Sequence, residues 1–350
     1  MYFKRKELEK FRSLDGPLID VRSPGEYYKG NMPNSINVPL FENDERAIIG
    51  TIYKKRGREK AILEGLKIIE KRIETLLENL FCCIENYQRE KKILSNDKQF
   101  IKIYCARGGL RSFSISWLLK KFKYNAITLE GGYKQYRKWT LNKFSNNYNI
   151  IVIGGKTGCG KTRLLNLLEK YDYQVIDLES FACHRGSTFG GLGMKEQPSN
   201  EQFENIIAEK LHSFKKDFPI FVEAESANIG KCKVPHEFFN QMKKSKRIEI
   251  IRSESNRLNE LINTYSKFNQ KDLEEAVIRI KKRLGPQRTK IALESIKKKK
   301  WDLVCKAVLE YYDKCYEFEK VGKINIKSID LTDLDFNKNI IQKIDNILKL

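Results

Sequence analysis

The 350-residue sequence predicts an α/β protein built from two parallel-sheet domains, the second carrying a largely helical C-terminal extension. Three observations lead there. Short apolar runs bounded by turn formers alternate with stretches of helical periodicity in both halves, the order that builds parallel sheets. One such run ends at Cys105 and opens a glycine-containing loop directly before a helix. Another ends in Gly155-Lys156-Thr157-Gly158-Cys159-Gly160-Lys161-Thr162, a G-x-x-x-x-G-K-[ST] phosphate loop that again lies between a strand and a helix.

In the first half, Leu18 to Arg22, Ser35 to Leu40, Phe100 to Tyr104 and Ala126 to Leu129 read as strands, and Ser112 to Phe122 as a helix. Phe41 to Gln99 does not fit that alternation. Within it Glu59 to Lys92 has the pattern of one or two long, charged amphipathic helices, so the segment reads as a helical insertion. The pattern turns polar between Trp139 and Tyr148, and a new apolar strand starts at Asn149. A first domain is therefore expected over residues 1–145, with its insertion at about 41–99, and a second over 146–350. Strand signals follow at Ile150 to Ile153, Gln174 to Asp177, Pro219 to Glu223 and Arg247 to Ile251. From about residue 256 the chain is mostly helical and Lys-rich, interrupted at Gly285-Pro286, with one further strand run at Ile324 to Ile329.

Composition narrows the function classes. A hydrophobic fraction of 41% excludes a disordered chain. No apolar stretch approaches the ~20 residues that span a bilayer, and the charged start from Met1 to Lys10 lacks the core of a secretory signal, so a cytoplasmic protein without a membrane partner is expected. The eight cysteines form no CxxC or Cys/His cluster, which reads as reduced thiols and no metal site; Cys82 and Cys83, on an expected helix, read as packing residues. The net charge of +22 invites a polyanion. However, 48 Lys against 19 Arg in an Asn- and Ile-rich chain also fits AT-rich coding bias, so charge alone supports nucleic acid only weakly. Both halves are basic: residues 1–148 carry 30 basic and 17 acidic side chains, the rest 37 and 28.

The loop Cys105-Ala106-Arg107-Gly108-Gly109-Leu110-Arg111-Ser112 has the chemistry of a nucleophile site. A loop at a helix N-terminus aims backbone N–H groups and the positive end of the helix dipole at one spot, which lowers a thiol pKa and attracts anions. Arg107 and Arg111 are expected to add to that effect, and Gly108 and Gly109 to let the backbone curl into an anion cradle. A buried, inert cysteine would leave this chemistry unexplained.

In the phosphate loop, N–H groups from Gly158 to Thr162 are expected around a diphosphate, with Lys161 adding charge and Thr162 within reach of a magnesium ion. Hydrolysis also needs a metal-holding acid. Glu223 and Glu225 are the candidates, but the usual strand-end Asp is missing. A third constellation runs from Asp177-Leu178-Glu179 through His184-Arg185-Gly186-Ser187 to Phe189-Gly190. Its His184 and Arg185 suit a phosphate or a nucleobase, and a plain surface-loop histidine suits position 184 equally well.

The thiol loop, Ile19-Asp20-Val21-Arg22-Ser23-Pro24-Gly25-Glu26-Tyr27 with Gly30, Ile36-Asn37-Val38-Pro39, and Leu129-Glu130-Gly131-Gly132-Tyr133 together resemble a rhodanese domain. Such domains carry sulfur as a cysteine persulfide, which the resemblance implies for Cys105. The C-x5-R span from Cys105 to Arg111 is also the loop length of rhodanese-related phosphatases, so that reading stays open from the loop alone.

A rhodanese-like domain followed in one chain by a P-loop NTPase-like domain resembles the tRNA 2-selenouridine synthase family. The resemblance extends to Asn43-Asp44-Glu45-Arg46, Tyr53-Lys54, Tyr104 to Gly109, Gly154 to Thr162, Lys282-Arg283-Leu284-Gly285 and Tyr311-Tyr312-Asp313. It implies a transferase that replaces the sulfur of a wobble 2-thiouridine by selenium from selenophosphate, through an S-geranylated tRNA made from geranyl diphosphate. The implied partners are that tRNA and a supply of selenophosphate, with no tightly bound cofactor. The phosphate loop would take geranyl diphosphate. The cradle of Cys105, Arg107, Gly108, Gly109 and Arg111 would take selenophosphate. Asp177, Glu179, His184, Arg185, Ser187, Glu223, Glu225, Lys282 and Arg283 are candidate substrate or tRNA contacts. Two other readings use the same parts: an ATP-dependent tRNA thiolation enzyme, and a rhodanese-related phosphatase fused to a nucleotide-binding module. Which tRNAs bind, whether magnesium is required and the oligomeric state are left open by the sequence.

Overall fold

The computed structural model describes residues 5–92, 99–187, 189–320, 326–332 and 338–349, and it divides into two units, residues 1–143 and 144–350. In the first, β1 (Arg5–Lys6), α1 (Leu8–Arg12), β2 (Leu18–Asp20), α2 (Pro24–Lys29) and β3 (Ile36–Asn37) precede three helices, α3 (Asn43–Arg56), α4 (Arg58–Glu70) and α5 (Ile73–Glu90). Then come β4 (Ile101–Tyr104), α6 (Leu110–Lys121), β5 (Ala126–Leu129) and α7 (Gly132–Phe144). The strands form a parallel sheet in the order β1-β5-β4-β2-β3, with Ile19 opposite Ile36 on one side and Ile103 on the other.

Apolar residues on both faces of these strands are buried, as a parallel sheet requires. One core joins Ile19, Val21, Ile101 and Ile103 to Leu76, Leu80 and Ile84, the i, i+4, i+8 stripe of α5. A second joins Tyr104, Ile127 and Leu129 to Phe11 of α1 and Tyr133 and Tyr136 of α7. The insertion thus supplies part of the core rather than standing apart from it.

Three elements differ from expectation. The insertion holds three helices, because helix already begins at Asn43, where the Glu42 N–H donates to the Glu45 carboxylate (2.7 Å), and because Gly57, at φ +88°, breaks α3 from α4. The strand expected at Ser35 to Leu40 shrinks to Ile36–Asn37, since Pro39 has no N–H for a ladder. The two-residue edge strand β1 is too short to show as an alternating pattern.

The second unit contains β6 (Ile150–Gly155), α8 (Lys161–Lys170), β7 (Gln174–Ile176), α9 (Leu178–Phe181), α10 (Asn200–Ser213) and β8 (Ile220–Glu223). A small antiparallel hairpin, β9 (Asn228–Ile229) with β10 (Cys232–Lys233), precedes α11 (His236–Lys244) and β11 (Lys246–Ile251). Helices α12 (Glu254–Tyr265), α13 (Gln270–Arg279), α14 (Lys281–Leu284), α15 (Pro286–Lys297) and α16 (Trp301–Lys320) follow, then β12 (Ile326–Asp330) and α17 (Lys338–Lys349). The sheet is parallel throughout, ordered β12-β11-β6-β8-β7. The expected last strand is present from Ile326; positions 324 and 325 lie outside the described residues. Leu164, Leu165 and Leu168 of α8 and Ile340, Ile341 and Ile344 of α17 pack on this sheet. Helices α13 to α16 bury a core of their own, including Leu273, Val277, Ile280, Leu284, Ile296 and Val308, with Phe189 inserted into it. Among the described residues no helix is long and apolar enough to cross a membrane.

A buried ion pair stabilises the end of β2. Arg22 donates through Nε and Nη2 to the Asp20 carboxylate at 2.9 and 2.6 Å, donates to the Gly30 carbonyl at 2.6 Å, and stacks 3.7 Å from the Tyr133 ring centroid. Burial opposes the guanidinium charge, and Asp20 more than offsets it. Removing one partner strands a buried charge. Arg22→Met is therefore expected to destabilise the protein by about 3–5 kcal/mol in urea unfolding, and Asp20→Asn combined with Arg22→Met by clearly less. Equal losses in the single and double variants would contradict this account.

Candidate functional site

Each sheet delivers a glycine loop from the C-terminal end of a strand to the N-terminus of the next helix, and each loop faces its own cavity. In the first unit β4 is followed directly by Cys105, which is buried, with Sγ 3.2 Å from the Ser112 hydroxyl of α6. The loop is braced from behind by the turn after β5. The Tyr133 and Lys134 N–H groups donate to the carbonyls of Cys105 and Ala106 at 2.9 and 3.0 Å. A Cβ at Gly132, which has φ +58°, would lie 2.2 Å from the Cys105 carbonyl oxygen, so only glycine permits this approach.

Two arginines were expected to strengthen the thiol site, and they are placed differently. Arg107 is exposed and lines a cavity of about 1090 Å³ next to Cys105. Arg111 lines the same cavity, but its guanidinium is bound by Glu26 of α2 at 2.7 and 3.3 Å. Its charge is thus shared with a carboxylate as well as facing the cavity. Burial alone would raise the Glu26 pKa; Arg111, with help from the Ser23 N–H and Arg46, brings it below the usual carboxylate value. Cys82, expected to be a packing residue, is exposed on α5, while Cys83 packs partly against the core.

In the second unit, residues 157 to 162 line a cavity of about 860 Å³ together with Gly155, Asp177, Glu179, Glu225, Arg185, Ser187 and Arg283. Here too the loop is held from outside. Arg257 of α12 donates to the Thr157 carbonyl (2.9 Å) and pairs with Asp313 of α16 through both terminal nitrogens. A Cβ on Gly158, at φ +77°, would meet the Arg257 carbonyl oxygen at 2.7 Å. The Gly155 N–H donates to the Tyr316 hydroxyl (2.6 Å), which is itself bonded to Glu249 and Arg247. Lys156 lies 3.6 Å from Asp313. Arg257 and Tyr316 were not singled out in the sequence. The Tyr311-Tyr312-Asp313 run was the available signal, and Asp313 now has a structural role.

Lys161 donates to the Gly155 carbonyl at 3.2 Å. Burial works against its charge, but Cys159 and the carboxylates of Glu225, Glu179 and Glu223 more than offset that, so the amine is held cationic. The sequence offered Glu223 and Glu225 as candidate metal-holding acids but no defined metal site; folding brings Glu179 to them and makes a candidate set. One carboxylate oxygen each from Glu179, Glu223 and Glu225 lies within 4.8 Å of the others. Glu223 is fully buried: Oε1 accepts from the Glu179 N–H at 2.7 Å, and Oε2 is buried without a hydrogen-bond partner. Burial first, then the charge of Glu225, push the Glu179 pKa up to about 8 against the pull of Lys161. Glu223 is raised well above the usual value, by burial and then by Glu179. Three such oxygens, with Glu179 and Glu225 lining the cavity that Thr162 also lines, are the hard donors that a magnesium ion takes.

The remaining candidates divide. Asp177 caps α9 by accepting from the Ser180 N–H (2.8 Å). Arg185 lines the cavity while donating to the Leu192 carbonyl at 2.8 Å. His184 is half-buried, its Nδ1 has no hydrogen-bond partner, and it does not line the cavity. Arg283 faces the phosphate-loop cavity, whereas Lys282 lines a separate groove with Lys281, Lys290 and Lys297. Thr188 lies outside the described residues.

Comparison with known proteins gives the same two parts. The rhodanese-like domain family matches residues 4–139, and the tRNA 2-selenouridine synthase AAA domain family matches residues 148–328. Relatives named tRNA 2-selenouridine synthase include a Nitrosomonas eutropha protein, 35% identical over 265 residues that cover 74% of this chain and 65% of the relative. A Nitrosomonas europaea protein is 34% identical over 262 residues, covering 72% and 64%. A Psychromonas ingrahamii protein is 30% identical over 349 residues, covering 90% and 91%. The chain therefore spans just under two thirds of the Nitrosomonas proteins and nine tenths of the Psychromonas one.

The raised carboxylates carry a pH signature. An acid whose folded pKa lies above its unfolded value binds its proton more tightly when folded. Its stabilisation is full below the ordinary value of 4.5 and is lost as pH rises toward about 8, the value for Glu179. Stability in urea unfolding is thus expected to fall with rising pH across this window, and Glu179→Gln is expected to flatten the fall. Parallel pH profiles for the two proteins would contradict the assignment.

Proposed function

The chain belongs to the tRNA 2-selenouridine synthase family, and from that premise we propose that it replaces the sulfur of a wobble 2-thiouridine in tRNA by selenium in two steps, one at each loop. The observation that carries this reading is the pairing of a thiol cradle with a phosphate loop whose strand-end acid is not the usual Asp. The first step uses geranyl diphosphate in the phosphate-loop cavity. The thiocarbonyl sulfur bonds to C1 of the geranyl group, the C1–O bond breaks, diphosphate leaves and the N3 proton passes to a carboxylate of the cavity. Lys161 and the N–H groups at the start of α8 face the charge that develops on the diphosphate. Leu261, Tyr265, Tyr311 and Tyr312 line the same cavity and suit the prenyl chain. A magnesium ion held by Glu179, Glu223, Glu225 and Thr162 would neutralise diphosphate charge.

The second step takes place at Cys105 with selenophosphate in the cradle. Selenium bonds to C2 of the base, the C2–S bond breaks and geranyl thiol leaves, the Cys105 thiol giving the departing sulfur a proton and taking the selenophosphate proton in return. Water then takes the phosphoryl group as phosphate, leaving selenouridine with its proton on N3. Alkylation is what makes the exchange feasible, since a thiocarbonyl sulfur leaves poorly and an S-alkyl group leaves as a thiol. Neither step consumes ATP, in keeping with a phosphate loop that serves a prenyl diphosphate.

Two variants separate the steps. Cys105→Ser is expected to abolish selenium incorporation while tRNA binding and geranylation persist, because a hydroxyl has none of the thiol's reactivity. Lys161→Ala is expected to slow geranylation by about tenfold or more and to leave selenation of pre-geranylated tRNA nearly unchanged. Equal losses of both half-reactions in both variants, measured by nucleoside mass spectrometry, would refute the division.

A further inference from the structure

Positive charge gathers on α14, α15 and the turn that follows them. Residues 279–300 carry ten basic side chains and one acidic, so 22 positions hold nine of the chain's 22 net positive charges. Coding bias alone would scatter its lysines along the chain. Here Lys281, Lys282, Lys290 and Lys297 are all exposed and line one groove of about 530 Å³, in which Glu294 is the single acid.

The groove stands on a packed base. Ile280 and Leu284 beside α14, and Ala292 and Ile296 of α15, are buried in the helical core, and Gly285 at φ +88° makes the break that sets one helix against the other. Lys290, Glu294 and Lys297 follow at i, i+4 and i+7, so they share the face of α15 that points away from that core. The two lysines are about 10 Å apart along the helix axis. Glu294 lies 4.0 Å from Lys290 in an exposed pair, which binds weakly and leaves the groove cationic.

The lining selects among anionic partners. None of its side chains is aromatic, so an unstacked base finds no platform there. Lysine ammonium groups are point charges, without the planar fork that reads a base edge or clamps one small anion. Separated point charges on a firm base match the repeated phosphates of a nucleic-acid backbone. Helix α14 also borders the phosphate-loop cavity, since Arg283 lines that cavity while Lys281 and Lys282 line the groove.

Resting on the function proposed above, we propose that this groove docks the sugar–phosphate backbone of the tRNA anticodon stem and leads the RNA past Arg283 to the phosphate-loop cavity. The contact supplies affinity and position, and the cavity supplies the choice of base.

The test measures binding of fluorescently labelled tRNA carrying 2-thiouridine to the full-length protein across a salt series. Two triple variants change the net charge equally. Lys281→Glu with Lys282→Glu and Lys290→Glu reverses the groove, whereas Lys216→Glu with Lys231→Glu and Lys244→Glu reverses three exposed lysines that line none of the cavities described above. The groove variant is expected to weaken binding by about tenfold or more at about 0.1 M salt and to lower the slope of log K against log salt by about 2, while the scattered variant stays within about twofold of wild type. Glu294→Lys is expected to tighten binding by about threefold or more, a gain that a folding defect cannot produce. Equal losses in the two triple variants would make the charge compositional and overturn the proposal, as would a groove variant that binds like wild type. Binding is read apart from turnover, which separates the two claims. A wild type that binds this tRNA through the groove yet forms neither modified nucleoside refutes the function proposed above and supports the groove; full turnover with unchanged binding in the groove variant refutes the groove alone.

Discussion

A loop that offers its backbone N–H groups to an anion cannot also use them to hold itself in shape. Something behind it must do so. Both units meet this constraint by binding the carbonyl side of the loop. In the first, the turn after β5 donates two N–H groups to Cys105 and Ala106 through an approach that Gly132 alone permits. In the second, the Arg257 guanidinium takes the Thr157 carbonyl and is itself clamped by Asp313. The helical C-terminal part is therefore no appendage to the phosphate loop, since Asp313 and Tyr316 on α16 set its geometry.

The chemical character of the two cavities differs. Cationic side chains surround the thiol cavity, and two of them, Arg111 at 2.7 Å and Arg46 at 3.6 Å, share the Glu26 carboxylate. The phosphate-loop cavity is lined by Asp177, Glu179, Glu225 and Glu260 together with Lys161, Arg163, Arg185 and Arg283, and burial together with repulsion among carboxylates raises the proton affinity of Glu179 and of Glu223 behind it. On the proposed reading, the first cavity receives an anionic selenium donor and an alkylated base. The second releases diphosphate from a donor whose charge Lys161 meets.

Much of this was legible in the sequence because the signals are local. Both glycine loops lie between adjacent strand and helix patterns, and Ala126–Leu129 is a strand over the very span that its apolar run suggests. What escaped depends on long-range contacts. Arg257 sits 100 residues from Thr157, and nothing near it in the sequence marks it as a brace. Glu179, Glu223 and Glu225 were separate candidates, and only the parallel pairing of β7 with β8 brings them into one cluster. His184 and Lys282 stood beside suggestive neighbours, yet neither lines the phosphate-loop cavity, and Lys282 lines a separate groove. The start of α3 was hidden because the helix fully buries none of its residues, so helical periodicity was weak there.

The central claim is that two anion sites in one chain perform two ordered steps on one base. The most direct measurement follows wobble nucleosides by mass spectrometry in tRNA carrying 2-thiouridine, incubated with the protein, geranyl diphosphate and selenophosphate. S-geranyl-2-thiouridine is expected to rise first and then fall as selenouridine forms, and omitting geranyl diphosphate is expected to stop both. Selenouridine formed at the same rate without geranyl diphosphate, with no geranylated species along the way, would contradict the account.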